Sequence, residues 1–243
     1  MIFQHNSLFL SPKIWFVYIF SLSLQPIYQT SNLTDMYIAI AGNIGSGKST
    51  LTHMLARHYG WQPRFEAVDY NPYLDDYYHD IQRWSFNLEV YFLKERFKDL
   101  LAISTSQQTI IQDRSIFEGV HIFTANNYAS GNLSERDYQT YLSLFEQMMS
   151  VVSLPELMIY LRADVPYLIR NIQQRDRQCE KQMPLDYLAR LNDRYEDFIQ
   201  HKYPGRVLVL DKATLDFKRP ADMLRVYDLI DAALGTSETL PLI

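Results

Sequence analysis

Residues 36–49 read MYIAIAGNIGSGKS, an apolar run followed directly by a glycine-rich turn. The run at 36–41 has the short length and β-branched bias that are typical of a strand buried on both faces of a parallel sheet. Gly42 to Ser49 matches G-x-x-x-x-G-K-[ST] at every required position, and the apolar spacing at 48–59 predicts a helix directly after it. This order of strand, loop and helix predicts a nucleoside triphosphate site.

The glycines of this loop allow successive backbone N–H groups to turn toward a phosphate chain, and the helix N-terminus adds positive potential. Lys48 is expected to reach the β- and γ-phosphates, and Ser49 is expected to ligate Mg²⁺. ATP and Mg²⁺ are therefore the predicted cofactors. The ATP-binding residues predicted in this segment are Gly42, Asn43, Ile44, Gly45, Ser46, Gly47, Lys48, Ser49 and Thr50.

The rest of the chain alternates short apolar runs with segments of helical spacing. This rhythm predicts an α/β fold, with a doubly wound five-stranded parallel sheet and helices on both faces. Strands are predicted at 36–41, 61–65, 109–112, 157–161 and 207–210. Helices are predicted at 48–59, 83–103, 115–128, 134–153, 165–175, 184–201 and 219–234.

Composition excludes several classes of protein. With 47% hydrophobic and 14% aromatic residues, the chain is too apolar for intrinsic disorder. The net charge of −5 provides no global basic field, so we expect no nucleic-acid partner. The single cysteine excludes an intramolecular disulfide framework and a cysteine-only zinc site, which makes a cytoplasmic location the expectation.

Residues 1–35 differ from the rest of the chain and allow three interpretations. A membrane-spanning helix needs about 20 apolar residues, whereas Pro12 and Pro26 leave a window of only thirteen. A signal peptide would need a basic first region and a small-residue cleavage site, and both are poor here. We favour the third interpretation, a non-native or disordered extension with Met36 as the natural start. The predicted domain is therefore 36–243, without a membrane partner.

Charged residues lie where three predicted elements end. Glu66 follows the second strand, at the edge of the sheet where ligands bind, and its carboxylate can accept a proton from an alcohol that attacks the γ-phosphate. Asp113 and Arg114 end the third strand and suit Mg²⁺ binding and phosphoryl stabilisation. Arg175 and Arg177 begin a polar segment that suits a mobile lid. The alternatives are solvated side chains for Glu66 and the two lid arginines, and a strand-end ion pair for Asp113 and Arg114.

Several motifs occur in a characteristic order. They are GNIGSGKST (42–50), WSFNLEVYFL (84–93), DRS-I-F-E (113–118) and R-D-R-x-x-E followed by PLDYL (175–188). From Met36 to about Phe217 the chain resembles the deoxynucleoside kinase family, with the bacterial deoxyadenosine/deoxyguanosine kinases as the nearest relatives. The resemblance implies transfer of the ATP γ-phosphate to the 5′-hydroxyl of a deoxynucleoside. It also implies a short arginine-bearing lid and usually a homodimer.

The resemblance further implies a role for individual residues. Glu66 corresponds to the general base, and Arg114 to the arginine near the 5′-oxygen. Asp113 corresponds to the acidic residue that helps place Mg²⁺. The remaining correspondences are Tyr78 and Glu180 for the sugar 3′-hydroxyl, Trp84 and Phe117 for aromatic contacts with the nucleoside, Arg175 and Arg177 for the lid, and Asp211 for the loop 211–217 around adenine. For Tyr78, Trp84 and Phe117, core packing is the alternative.

Four positions depart from the family pattern. Glu89 stands where a base-reading Gln is usual, and an ionised carboxylate offers only acceptors. Gly119 replaces an Asp that normally pairs with the arginine at position 96, so Arg96 is expected to be free to address the base. Asn171 and Asp176 replace a lid-helix Arg and a lid Gly. On these grounds the sequence predicts a guanine or thymine preference over adenine and cytosine.

Two other functions stay open from the residues alone. A nucleoside monophosphate kinase, such as a thymidylate kinase, would need extra cationic contacts for the phosphate of its acceptor. A catalytically silent nucleotide-binding module would keep the phosphate loop without the acceptor chemistry.

Overall fold

The sheet at the centre of the molecule has five strands, all of them parallel. The computed structural model describes residues 35–66, 71–175 and 184–235. The strands lie side by side in the order β2-β3-β1-β4-β5. Their bounds are β1 Tyr37–Gly42, β2 Gln62–Arg64, β3 Ile110–Asp113, β4 Leu157–Arg162 and β5 Val207–Asp211.

The central strand β1 sets the position of the ligand crevice. It pairs with β3 on one side, where Ile40 lies opposite Asp113, and with β4 on the other side, where Gly42 lies opposite Leu161. The chain moves to one side of β1 for β2 and β3 and to the other side for β4 and β5. In open parallel sheets, ligands bind beyond the carboxyl ends of the strands where this direction changes. The loop after β1 therefore opens into the crevice.

Helices connect the strands and cover both faces of the sheet. The described helices are α1 Lys48–Tyr59, α2 Leu74–His79, α3 Ile81–Ser104, α4 Ile116–Glu118, α5 Ala125–Ala129, α6 Glu135–Met149, α7 Val165–Arg175, α8 Leu185–Asp197 and α9 Pro220–Leu234. Two segments have π-helical geometry, Gly119–Thr124 between α4 and α5 and Phe198–Lys202 after α8.

Alternate residues of β1 contribute to two separate cores. Tyr37, Ala39 and Ala41 pack against α3, α4, α6 and α8. Ile38 and Ile40 point to the opposite face and pack against α1 and α9. Side chains of a strand alternate between faces, so a run that is apolar at every position is buried on both sides. The predicted doubly wound, five-stranded α/β fold is confirmed.

Local differences from the sequence prediction have physical causes. The helix predicted at 115–128 is divided because its middle, Gly119–Thr124, is π-helical. Helix α2 was not predicted, and none of its residues is buried, so it has no apolar stripe to reveal it. Ser134 is the N-cap of α6 as predicted, since its side chain accepts a hydrogen bond from the backbone N–H of Asp137.

Residues 1–34 lie outside the described residues, so the start of the domain at Met36 stays a prediction. Among the residues that the structure does describe, no helix is both long enough and apolar enough to cross a bilayer.

The layer formed by α1 and α9 is expected to be tightly packed. Leu55 on α1 is completely buried in that layer, whereas Leu224 on α9 is 63% exposed. Leu55→Ala should lower the free energy of unfolding by about 2–5 kcal/mol, because it removes buried methyl groups and leaves a cavity. The matched change Leu224→Ala should cost about 0.5 kcal/mol or less. Urea denaturation of both variants measures the difference, and equal losses would contradict this packing.

Candidate active site

The loop between β1 and α1 has a backbone conformation that requires glycine. Gly45 has φ +82° and Gly47 has φ +96°, both in the left-handed region that other residues rarely adopt. A Cβ atom at Gly45 would also lie 2.6 Å from the backbone oxygen of Leu168. The loop therefore packs closely against α7, and its conformation suits the phosphate cradle predicted from the sequence.

Lys48 is buried at the base of this loop. Its Nζ donates hydrogen bonds to the backbone oxygens of Gly42 at 2.8 Å and Asn43 at 3.0 Å. Burial, followed by the charge of Arg114, lowers the pKa of Lys48 to about 8. The ammonium group thus remains largely protonated at neutral pH and places a positive charge where phosphates are expected to bind.

Two asparagines attach the loop to neighbouring helices. The Asn43 Nδ2 donates to the backbone oxygen of Leu188 at 3.0 Å and to the Asn192 Oδ1 at 2.6 Å. The Asn171 Nδ2 donates to the backbone oxygen of Gly45 at 2.7 Å. Asn171, one of the departures from the family pattern, therefore holds the phosphate loop in place.

The oxygens of Ser49 and Asp113 form a small acidic site beside the loop. The Ser49 hydroxyl donates to the Asp113 Oδ2 at 2.5 Å. The second carboxylate oxygen, Oδ1, is buried and has no hydrogen-bond partner. Mg²⁺ prefers oxygen ligands, and a carboxylate with a free buried oxygen is suited to it. The residues present therefore fit the predicted metal.

Glu66 follows β2 and forms ion pairs with two arginines. Its Oε2 accepts from the Arg114 Nε at 2.9 Å, and its Oε1 accepts from Arg96. Burial would raise the pKa of Glu66, but the charges of Arg114 and Arg96 outweigh it and lower the pKa to about 2. Glu66 is therefore ionised throughout the physiological range.

Arg96 is held by this ion pair, so it is not free to address the base as the sequence suggested. The replacement of the usual Asp by Gly119 changes the space around Arg96. A Cβ atom at Gly119 would lie 2.5 Å from the Arg96 Nη1, so a larger residue there would displace the guanidinium group. Gly119 makes room for Arg96 to turn toward Glu66.

Arg114 is also bound to a buried network behind the loop. Its Nη1 donates to the Tyr195 hydroxyl at 3.1 Å, and that hydroxyl lies 2.7 Å from the Glu118 Oε1 and 2.9 Å from the backbone oxygen of Gly42. Arg114 has φ +71°, the only positive value outside glycine among the described residues. Such strain persists only where surrounding contacts impose it, and it is common at functional sites.

Neither Glu118 nor Tyr195 is among the site residues predicted from the sequence. The sequence does contain a motif that marks Glu118, because Ser115-x-x-Glu118 fits a capping box. Both hydrogen bonds of this capping box form at the start of α4. Tyr195 has no comparable signal. It comes from α8, which only the fold brings against β1.

A cavity of about 1040 Å³ joins the phosphate loop to Glu66. Small-molecule sites usually measure about 300–1,000 Å³, so this cavity is about as large as the largest of them. The predicted site residues that line it are Ile44, Gly45, Gly47, Lys48, Ser49, Glu66, Tyr78, Glu89, Arg96, Asp113, Arg114 and Arg175.

Glu89 is buried in the wall of the cavity. Its two carboxylate oxygens accept hydrogen bonds from Thr124 Oγ1 at 2.9 Å and Asn127 Nδ2 at 2.8 Å. Burial raises the pKa of Glu89 to about 7, against the smaller effects of these donors and Arg96. A carboxyl group with this pKa is not limited to accepting hydrogen bonds at neutral pH. The guanine or thymine preference therefore no longer follows from the residue type alone and stays a prediction.

Comparison with known proteins agrees with this geometry. The family model described as "Deoxynucleoside kinase" matches residues 38–230, most of the chain. The deoxyadenosine/deoxycytidine kinase of Bacillus subtilis is 43% identical over 164 residues, which are 67% of this chain and 76% of the relative. The deoxyguanosine kinase of the same organism is 34% identical over 188 residues, 76% of this chain and 90% of the relative.

The chain belongs to the deoxynucleoside kinase family. It is an enzyme that phosphorylates deoxynucleosides with ATP. The family match thus favours this activity over the two alternatives that the residues alone left open.

Solved structures of a related kinase extend the comparison. Deoxyadenosine kinase from M. mycoides, with the products dCMP and a flexible dCDP bound, aligns with a TM-score of 0.72 and 32% identity, over 81% of this chain and 100% of that chain. The same kinase with bound dATP aligns with a TM-score of 0.71 and 30% identity, over 81% of this chain and 99% of that chain.

Two aromatic residues predicted to contact the nucleoside lie elsewhere in the kinase. Phe117 is in the core, where its ring packs against Phe145, Phe198 and Tyr203. Trp84 is near Tyr73 and is not among the cavity residues. For Phe117 the core-packing alternative describes the observed contacts. Several other aromatic rings line the cavity, and one of them, Phe123, is carried by the π-helical segment beneath Arg114.

Other predicted residues fall outside the cavity or outside the described residues. Gly42, Asn43 and Ser46 are buried parts of the loop that do not line the cavity, and Thr50 is exposed on α1. Asp211 ends β5, where its side chain accepts a hydrogen bond from the backbone N–H of Ala213 at 2.8 Å. Arg177, Glu180 and Asp176 lie in the range 176–183, outside the described residues.

The phosphate loop of the kinase provides a test with a built-in control. Gly45→Ala forces a positive φ on alanine and places Cβ against Leu168, so we expect at least a tenfold loss of ATP affinity, about 1.4 kcal/mol. Gly60→Ala imposes a similar φ of +74° with open space around it, and should keep ATP affinity. Isothermal titration with ATP measures both. Equal affinities would show that close packing of the loop is unimportant.

Proposed function

We propose that this kinase transfers the γ-phosphoryl group of ATP to the 5′-hydroxyl of a deoxynucleoside, with Glu66 as the general base and Mg²⁺ as the cofactor. The observation that carries the proposal is the position of the Glu66 carboxylate. It lies in the same cavity as Lys48 of the phosphate loop and is held in place by Arg96 and Arg114.

In the proposed reaction the 5′-oxygen attacks the γ-phosphorus, and the bond to the oxygen that bridges the β- and γ-phosphates breaks. ADP leaves, and the proton of the hydroxyl passes to Glu66. A carboxylate with a pKa of about 2 is a weak base, so it first orients the hydroxyl by accepting its hydrogen bond. Because the transition state of phosphoryl transfer is loose, the proton moves late, when the new oxygen–phosphorus bond has acidified it.

Arg114 is suited to stabilise charge on the moving phosphoryl group. Its Nε is bonded to Glu66 and its Nη1 to Tyr195, so the guanidinium group has little freedom to turn. A donor fixed before the reaction needs no reorganisation in the transition state. In the proposed mechanism Arg175, which lines the cavity, and Arg177 add further positive charge from the lid.

Ser49 and Asp113 are the residues that would hold Mg²⁺. When bound, the ion neutralises charge on the β- and γ-phosphate oxygens. The unpaired Asp113 Oδ1 supports this assignment. For the sugar we propose contacts of the 3′-hydroxyl with Tyr78 and Glu180, and for adenine of ATP a site near Asp211. A homodimer and a cytoplasmic location are also part of the proposal.

The general-base role predicts a specific defect in Glu66→Gln. Turnover should fall by about 10²–10⁴-fold, since the amide cannot accept the proton. ATP affinity should be largely retained, because the hydrogen bonds of Glu66 go to Arg96 and Arg114 and not to the backbone of the phosphate loop. Nucleoside-dependent ADP release measures turnover, and product analysis shows whether the 5′-hydroxyl was phosphorylated.

The control for this variant is Glu146→Gln, at an exposed position of α6. It should keep full activity. Thermal unfolding of Glu66→Gln shows whether the two arginines left without a partner disturb the fold. A well-folded Glu66→Gln enzyme with activity within a few-fold of wild type would overturn the role of Glu66.

The metal assignment predicts that Asp113→Asn raises the Mg²⁺ concentration needed for half-maximal activity. Loss of one charge from such a site should cost about 10–100-fold in apparent metal affinity. Asp228→Asn, at an exposed position of α9, should leave the Mg²⁺ dependence unchanged. A Mg²⁺ titration of activity compares the two, and an unaltered midpoint in Asp113→Asn would exclude Asp113 from the metal site.

A further inference from the structure

The hydrogen bonds around Glu89 fix the orientation of its carboxyl group. The Asn127 Nδ2 donates to its Oε1, and the Thr124 hydroxyl donates to its Oε2. The Asn127 amide is itself fixed, because its Oδ1 accepts from the Tyr77 hydroxyl at 3.2 Å and lies 3.4 Å from the Asn132 Nδ2. The nitrogen of Asn127 can only donate, so the oxygen of Glu89 that faces it must accept.

These contacts leave part of the Glu89 hydrogen-bonding capacity unused. Each carboxylate oxygen has about two lone-pair sites, and the protein uses one on each oxygen. Glu89 is 4% exposed and lines the cavity, so the remaining sites are available to a ligand there. The protonated oxygen of a carboxylic acid is the poorer acceptor, so Oε1, which accepts from the Asn127 nitrogen, remains the carbonyl oxygen and the proton lies on Oε2. The site on Oε2 that the Thr124 hydroxyl does not use is the one at which this proton can reach a ligand in the cavity.

The groups that face Glu89 come from several elements. They are Tyr77 on α2, Arg96 on α3, Thr124 and Asn127 before and in α5, Tyr141 on α6, Tyr187 on α8 and Glu66 after β2. Within the described ranges Glu89 forms no ion pair, and Arg96, whose charge acts on it, is paired with Glu66. Burial raises the pKa of each of the three tyrosines, so they stay neutral when Glu89 titrates. The titrating group on this wall of the cavity is therefore Glu89.

We propose that Glu89 reads the nucleobase in two protonation states, which gives the kinase a base preference that changes with pH. As a neutral acid, Glu89 accepts a hydrogen bond from the amino group of adenine or cytosine and donates one to the adjacent ring nitrogen. As a carboxylate, it accepts from the ring N–H and amino groups of guanine. This inference rests on the proposed function, because it takes the nucleoside to bind beside Glu66 in the same cavity.

The two classes of base present complementary edges to this group. Adenine and cytosine each pair a donor amino group with an acceptor ring nitrogen, whereas guanine presents two donors. A buried polar group that is left unpaired by the wrong base costs substantial binding energy. The protonation state of Glu89 therefore selects between the classes. With a pKa of about 7, both states are populated near neutral pH.

The proposal predicts opposite pH profiles for the two classes. Between pH 6 and pH 8, kcat/KM for deoxyadenosine should fall about tenfold and that for deoxyguanosine should rise about tenfold, since each follows one form of Glu89. Their ratio should thus change by about 100-fold. Titration of ATP phosphates or of Lys48 affects both substrates equally and cancels in the ratio.

The Glu89→Gln variant supplies the non-titrating control. A Gln side chain can place its oxygen toward Asn127 and its amino group toward the Thr124 hydroxyl, which accepts as well as donates. It then presents one donor and one acceptor at every pH. The ratio of deoxyadenosine to deoxyguanosine kcat/KM should become independent of pH. At pH 8, deoxyadenosine use should exceed that of wild type about tenfold.

The Thr124→Val variant tests whether Glu89 is the titrating group without changing it. Removal of this hydroxyl removes a donor that lowers the pKa of Glu89. The midpoint of the pH-dependent ratio should therefore move to higher pH. A purely structural role for Thr124 would change activity without moving the midpoint.

Kinetics with deoxyadenosine and deoxyguanosine from pH 5.5 to 8.5, for wild type and both variants, distinguish the outcomes. The proposed role of Glu89 is overturned if the kcat/KM ratio of active wild-type enzyme does not change with pH. It is also overturned if the ratio changes with pH to the same extent in Glu89→Gln. Either result leaves the kinase function intact. An enzyme that phosphorylates neither nucleoside at any pH overturns the proposed function itself. A ratio that varies only when Glu89 is present and shifts in Thr124→Val supports the inference.

Discussion

The ion pairs of Glu66 with Arg96 and Arg114 connect three parts of the fold at the mouth of the crevice. The carboxylate follows β2, Arg96 comes from α3 and Arg114 follows β3. Burying a single charge of this kind would be costly, and the cost is offset only because the opposite charges are buried with it. The same pairs hold the carboxylate in the cavity wall and engage the Arg96 guanidinium group.

The two buried carboxyl groups of the cavity behave differently, because burial raises the pKa of Glu89 whereas two arginines lower that of Glu66. Glu66 has two cationic partners and a pKa of about 2, whereas Glu89 has only neutral donors and a pKa of about 7. Two carboxyl groups in one site can thus have different tasks, because their environments separate their pKa values. In our proposals Glu66 takes the proton of the alcohol, and the protonation state of Glu89, which depends on pH, selects the base.

The phosphate end of the cavity depends on support from behind the loop. Glu118 and Tyr195 are completely buried and connect the first residue of the loop, Gly42, with Arg114. The positive φ of Arg114 is consistent with a backbone held by such contacts. Asn43 and Asn171 add hydrogen bonds from α7 and α8, so the loop is attached to the helices that flank the proposed lid.

Residue patterns were sufficient to predict the strand, loop and helix at 36–59, the parallel sheet, and the places of Glu66, Asp113 and Arg114 at strand ends. Periodicity and local motifs are properties of neighbouring residues, and the strand-end rule then places these side chains in one crevice. Three features depend on the packed fold: Arg96 pairs with Glu66, Phe117 lies in the core while Phe123 lines the cavity, and Glu118 and Tyr195 hold the loop. The packed fold also sets the pKa of Glu89, because contacts between distant segments and the loss of water around a side chain depend on it.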